Sequence, residues 1–230
     1  MSNDDALRRA VEISREHGSG VMIQECLANH PLLLPFAGSA LATTRIVTIP
    51  NELGDPEIVD AFYRTSFAPN AAVDNFHSGG VLFPIDIANG RLHPGFKDVP
   101  YAPPKITHHA ETGIAMSGCK HPGWEAMTVM ARRLHRAFPD LLFVGWDIAL
   151  GPDGPVVVEA NIPPGISSNR QSVFGGLVGT RMLGLLAFHA AQWLEETEPE
   201  GSRWRPQLAT GPVRPAPRPF ADVPASSNEP

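Results

Sequence analysis

The sequence predicts an α+β fold, a mainly antiparallel sheet packed by helices. Three observations predict it. Residues 143–165, FVGWDIALGPDGPVVVEANIPPG, are two β-branched and aromatic runs around a Gly-Pro-Asp-Gly-Pro turn, which is a hairpin pattern. The runs at 43–49 and 81–87 have strand composition. Residues 124–138 place Trp124, Met127, Ala131, Leu134 and Phe138 three and four apart, the stripe of a helix that buries one face.

The elements follow in order. Residues 4–17 read as a helix, with Asn3 as cap, Asp4 and Asp5 in the acidic first turn, and Gly18 as stop. Its apolar stripe is modest. Val21–Leu27 reads as a strand stopped by Asn29-His30-Pro31. Thr43–Ile49 is the next strand, and within it Arg45 stands among apolar residues. A charge in that setting needs an anionic partner; a surface ion pair is the plainer alternative. Asp55-Pro56-Glu57 has the order of a cap, first helical position and acidic first turn, so residues 55–66 are expected to be a helix with no chemistry on it. Residues 72–80, AVDNFHSGG, precede the strand at 81–87, and Gly79-Gly80 would let backbone N–H groups approach an anion, although two glycines between strands more often mark a tight turn. Residues 93–121 are loop-rich, and Lys105 and His108 read first as solvated loop residues, with anion contact the lesser alternative. The helix from Trp124 leads directly into the 143–165 hairpin. A glycine-containing apolar helix is expected from about Ser172 to Glu196, and from Pro199 onward eight of the last 32 residues are proline, an extended or disordered tail.

The chain of 230 residues is 43% hydrophobic and carries a net charge of -6. That balance gives no basic footprint for nucleic acid or anionic membrane. No apolar run reaches the ~20 residues of a membrane span, and the charged N-terminus is not a secretory signal. Cys26 and Cys119 have neither metal nor redox spacing. A reduced, cytoplasmic setting is the expectation.

The hairpin carries the chemistry. Glu159 and Asn161, two apart, share one face of their strand. Asp147 faces Glu159 if residues 151–155 form a five-residue loop; a slip of one residue would turn it to the other side. Facing carboxylates about 5 Å apart repel each other, and a divalent cation between them would reverse the penalty. Two carboxylates and an amide oxygen suit a hard ion such as Mg²⁺ shared with phosphates. The alternative is that Asp147 and Glu159 are solvated residues on an outer face.

GWDIALGPDGPVVVEANIPPG resembles the last metal-binding hairpin of the ATP-grasp enzymes, and more narrowly the sugar-transfer-associated branch related to α-L-glutamate ligases. The resemblance implies that Asp147, Glu159 and Asn161, followed by Pro164-Gly165, hold the Mg²⁺ of Mg-ATP. It implies that Gln24 and Glu25 of the QECLANHP segment contact the nucleotide. Arg45 would meet phosphate or an acyl-phosphate, with Thr43 standing where Asn is more usual. Asn75 and His77 in the DNFHSGG segment would contact substrate or phosphate. The expected activity is ATP-dependent activation of a carboxylate to an acyl-phosphate, then attack by an amine, in the service of cell-surface polysaccharide or peptide modification.

The resemblance covers about residues 20–195, the linker and C-terminal lobe of such an enzyme, so residues 1–198 are expected to be a partial ATP-grasp domain followed by the tail. About 20 residues precede VMIQE, with no lysine and no glycine-rich flap beyond Gly18-Ser19-Gly20. Activity of this chain alone is therefore not expected: the expectation is a shortened gene product, a mis-called start, or half of a split enzyme whose upstream lobe is another chain. The rival expectation is a truncated, non-catalytic remnant that binds a nucleotide weakly or serves as a partner-binding module.

Overall fold

In the computed structural model, residues 2–38, 40–66, 80–97, 105–165 and 176–197 are described. They form six strands: β1 (Thr43–Pro50), β2 (Pro56–Ser66), β3 (Gly80–Pro84), β4 (Phe96–Lys97), β5 (Val144–Gly151) and β6 (Gly154–Asn161). With them stand four α-helices: α1 (Asn3–His17), α2 (Leu34–Ala37), α3 (Trp124–Ala137) and α4 (Arg181–Thr197). One sheet holds all six strands in the order β4-β3-β2-β1-β5-β6, and every neighbouring pair is antiparallel. The fold is α+β, as expected.

β1 sits in the middle because it is buried on both faces; Thr43, Thr44, Ile46, Val47, Thr48 and Ile49 are all buried. Its even-numbered residues enter the main core. There Ile46 joins Tyr63, Phe83, Trp146 and Ile148, and α3 closes the layer with Trp124, Met127 and Ala131. Each large side chain so buried contributes about 1.5–3 kcal/mol. Gly90 fastens the β3–β4 connection to this helix: its φ is 75°, and a Cβ there would lie 2.4 Å from the Trp124 ring. On the other face, Ile49 packs with Met182 and Leu185 of α4, while Phe62, Leu82 and Phe96 form a small separate cluster.

Three expectations are corrected. Residues 56–66 are a strand, β2, and not a helix. Asn51 Oδ1 accepts from the N–H groups of Leu53 and Asp55 at 3.0 and 2.9 Å, and Gly54 takes φ 84°, so a tight turn returns the chain beside β1. Once paired to β1 on one edge and β3 on the other, the β-branched and aromatic run IVDAFYRT has no reason to coil. Pro56 is tolerated because it opens the strand. Second, Val21–Leu27 has no regular structure. Val21, Met22 and Ile23 are exposed, so among the described residues no element covers the apolar side chains that would have stabilised a strand. Third, the last helix begins at Arg181; among the described residues Met182 and Leu185 are buried, Leu177 and Leu186 are partly buried, and Trp193 and Val178 are 63% and 86% exposed. Helix α1 matches its expected span, but Ser2 rather than Asn3 caps it, through a reciprocal capping box with Asp5. The tail from Pro199 lies outside the described residues.

Candidate functional site

The site is built by register. Arg45 on β1 lies opposite Asp147 on β5 and opposite Phe62 on β2. Asp147 in turn lies opposite Glu159, and Gly145 opposite Asn161, on β6. Thr43 lies opposite Arg64. Directly opposed residues share a face, so Arg45, Arg64, Asp147, Glu159 and Asn161 all stand on the side of the sheet away from α3.

The hairpin reaches this register by an unexpected route. The loop between β5 and β6 contains two residues, not five, because Gly151 already pairs with Gly154. Such a turn alone would set Asp147 against Val158. The register shifts between Asp147 and Ile148: Ile148 pairs with Val157 and Asp147 with Glu159, leaving Val158 as the extra residue of a bulge. A bulge adds one residue to one strand and re-aims the side chains beyond it. Here it places Glu159 and Asn161 on the face of Asp147.

Asp147 is 2% exposed. Its carboxylate is the partner that Arg45 requires. Arg45 donates through Nε to Oδ1 and through Nη2 to Oδ2, both at 2.7 Å. Arg64 donates through Nη2 to the same Oδ2 at 2.8 Å. The two arginine side chains are 19% and 16% exposed. Bidentate pairing of a guanidinium with a carboxylate is the strongest form of this contact. Thr43, 4% exposed, orients Arg64: its Oγ1 accepts from Nε at 3.0 Å and Nη2 at 2.7 Å. Asn161 Nδ2 lies 3.4 Å from Asp147 Oδ2. Gly145 makes room for the cluster, since a Cβ there would lie 2.7 Å from Pro164 Cβ and 3.4 Å from Arg45 Cδ.

Arg64 was missed by sequence reasoning, because it lay in a segment expected to be a helix. The recoverable signal is the Asn51/Gly54 turn between two β-branched runs. It makes 56–66 a strand, and a second arginine then appears among apolar strand residues. Gln24 and Glu25 lie in the irregular segment ahead of α2 and are exposed; the structure does not bring them into the cluster. Asn75 and His77 lie outside the described residues. Lys105 and His108 are exposed, and His108 Nδ1 is 2.9 Å from Thr107 Oγ1.

The donor set suits a hard cation in type: two carboxylates and an amide on one sheet face. Glu159 is exposed and, among the described residues, makes no ion pair. A half-turn of the Asn161 amide would present its oxygen in place of its nitrogen. Asp147 is the exception, since both its oxygens are engaged by guanidinium groups. Two arginines on a semi-buried sheet face also suit a phosphoryl group, whose oxygens accept forked N–H donors.

A family model described as sugar-transfer associated ATP-grasp matches residues 12–178, a span that takes in all six strands and α3. No curated protein matches the chain.

Proposed function

The chain belongs to the sugar-transfer associated ATP-grasp family, and from that premise we propose that it is an ATP- and Mg²⁺-dependent carboxylate–amine ligase whose phosphate- and metal-binding face is the one around Asp147. The observation that carries this reading is the convergence of Arg45, Arg64, Asp147, Glu159 and Asn161 on one sheet face. Apolar packing has no use for five such residues together.

In the proposed reaction a carboxylate oxygen of the acceptor attacks the γ-phosphorus, the bond from that phosphorus to the β–γ bridging oxygen breaks, and ADP leaves. The amine nitrogen then attacks the acyl carbon of the acyl-phosphate, phosphate departs, and the amine proton passes to water. Arg45 and Arg64 orient the transferring phosphoryl group and balance the charge on its oxygens, work that rests on position and electrostatics. Magnesium, when bound by Asp147, Glu159 and Asn161, supplies Lewis-acid neutralisation of phosphate oxygens. Asn75 and His77 are proposed acceptor contacts, and Gln24 and Glu25 proposed nucleotide contacts. No side-chain nucleophile is required. The proposed setting is cytoplasmic; among the described residues no helix is long and apolar enough to cross a membrane.

A second reading is nucleotide binding without catalysis. It is favoured by the exposure of Gln24 and Glu25 and by helix α1, which buries no residue. Isotope exchange separates the two. ATP labelled at the β–γ bridge oxygen is incubated with the protein, Mg²⁺ and a pool of small carboxylates, without amine. Scrambling of label into the non-bridging β oxygens that depends on a carboxylate and on Arg45 supports the ligase. Binding of Mg-ATP with no scrambling for any carboxylate would leave the binding module.

A further inference from the structure

Asp147 has two claimants. In the reading above its carboxylate holds a divalent cation, yet both of its oxygens are already taken by Arg45 and Arg64 at 2.7–2.8 Å. A carboxylate offers about four lone-pair positions, and three are used by charged donors. A dication brought to the same oxygens would stand beside two guanidinium groups in a site where Asp147 is 2% exposed, and like charges that close repel strongly where water screens little. Cation and arginines therefore compete for one group. Arginine released from a carboxylate needs another oxyanion, and phosphate matches its forked donors.

We propose that Asp147 exchanges partners when ligand binds: Arg45 and Arg64 hold it while the site is empty, a phosphoryl anion takes over the arginines, and only then is Asp147 free for the cation. This rests on the reading of the face as a phosphate and metal site, and it adds a role for Arg64 as the residue that positions Asp147 and couples the two ligands. No covalent step is involved. The exchange makes anion and cation binding cooperative, and coupling of this kind is typically about 5–150-fold and equal in both directions.

The structure supports this arrangement over a passive ion pair in two ways. Arg64 also donates to Thr43 Oγ1 through Nε and Nη2, so a second partner keeps it in place when Asp147 lets go. Glu159, opposite Asp147, is exposed and ready to share a cation.

The exchange predicts two gains of affinity, which a damaged fold does not produce. Mn²⁺ alone is titrated into the full chain and followed by electron paramagnetic resonance. Wild type binds it weakly. Arg64→Gln binds it about 10-fold more tightly, a factor within the coupling range above, and adding Asp147→Asn to that variant abolishes the gain. Arg45→Gln gives the same result and serves if Arg64→Gln does not fold. In the converse arm inorganic phosphate is titrated by calorimetry without metal. Asp147→Asn binds it more tightly than wild type, and Arg64→Gln binds it less tightly. Equal Mn²⁺ affinity in wild type and in both arginine variants would overturn the exchange. If Mn²⁺ with a nucleotide analogue still bound in an Asp147-dependent way, the site reading would survive that failure. If Mn²⁺ bound in no form of the protein, both would fall.

Discussion

The two faces of β1 use the same backbone for opposite purposes. On the α3 side its polar side chains are matched within neutral hydrogen-bond chains. Trp146 Nε1 donates to Thr48 Oγ1 at 2.8 Å; the Thr48 hydroxyl lies 2.6 Å from His135 Nδ1, and His135 Nε2 donates to Leu141 O at 2.7 Å. Thr44 Oγ1 meets His121 Nε2 at 3.1 Å, while His121 Nδ1 accepts the Gly123 N–H at 3.2 Å. On the opposite side, one step along the strand, Arg45 belongs to an ionised cluster in which one carboxylate faces two guanidinium groups. Neutral buried groups that satisfy one another stabilise and specify a core. Buried ions are a weak source of stability and are costly to separate. The difference assigns stability to the α3 face and makes the charged face the proposed ligand face.

Removing the shared carboxylate tests that division most severely. Asp147→Ala leaves two guanidinium groups without their partner and is expected to cost about 4 kcal/mol in urea unfolding. If stability were unchanged, the ion cluster would be an exposed decoration and the comparison would lose its second half.

Acid tests the neutral face. Burial pushes His121 down to about 4 from its ordinary 6.5, and burial also lowers His135. Between those two pH values the unfolded chain takes up a proton that folded His121 refuses. Its contribution is complete above pH 6.5, declines as pH falls, and is lost by about pH 4, a change of about 3 kcal/mol. Urea midpoints measured from neutral pH downward should fall in that window, and His121→Gln should flatten the His121 part of the decline. A flat wild-type profile would mean that His121 is not held neutral.

Gly145 touches both purposes at the β5 edge of the site. Gly145→Ala would bring a methyl group to 2.7 Å from Pro164 Cβ and 3.4 Å from Arg45 Cδ. Overpacking of this size costs about 2 kcal/mol. A nucleotide affinity that falls together with stability would show that Gly145 sets the position of Arg45; unaltered affinity would show that Pro164 alone gives way.

What the sequence made legible follows the same division. The hairpin, β1, α3 and the pairing of Asp147 with Glu159 could be read because period-two and period-3.6 patterns and turn residues are local signals. The pairing emerged despite a misjudged loop: the two-residue turn and the bulge at Val158 together give the register a five-residue loop would have given. β2 was misread because Asp55-Pro56-Glu57 imitates a helix start, and only the turn at Asn51 and Gly54 and the two neighbouring strands decide otherwise. Arg64 vanished with it. The partner of Arg45 was not legible either, since Asp147 stands far along the chain and its closeness is a property of sheet order.

The most direct test of the ligand face is calorimetric titration of the full chain with a non-hydrolysable ATP analogue, with and without Mg²⁺, beside the Asp147→Asn/Glu159→Gln variant. Binding with a magnesium-dependent component that disappears in the variant is the predicted result. Magnesium-dependent binding that survives both substitutions, or no binding by a well-folded wild-type protein, would contradict it.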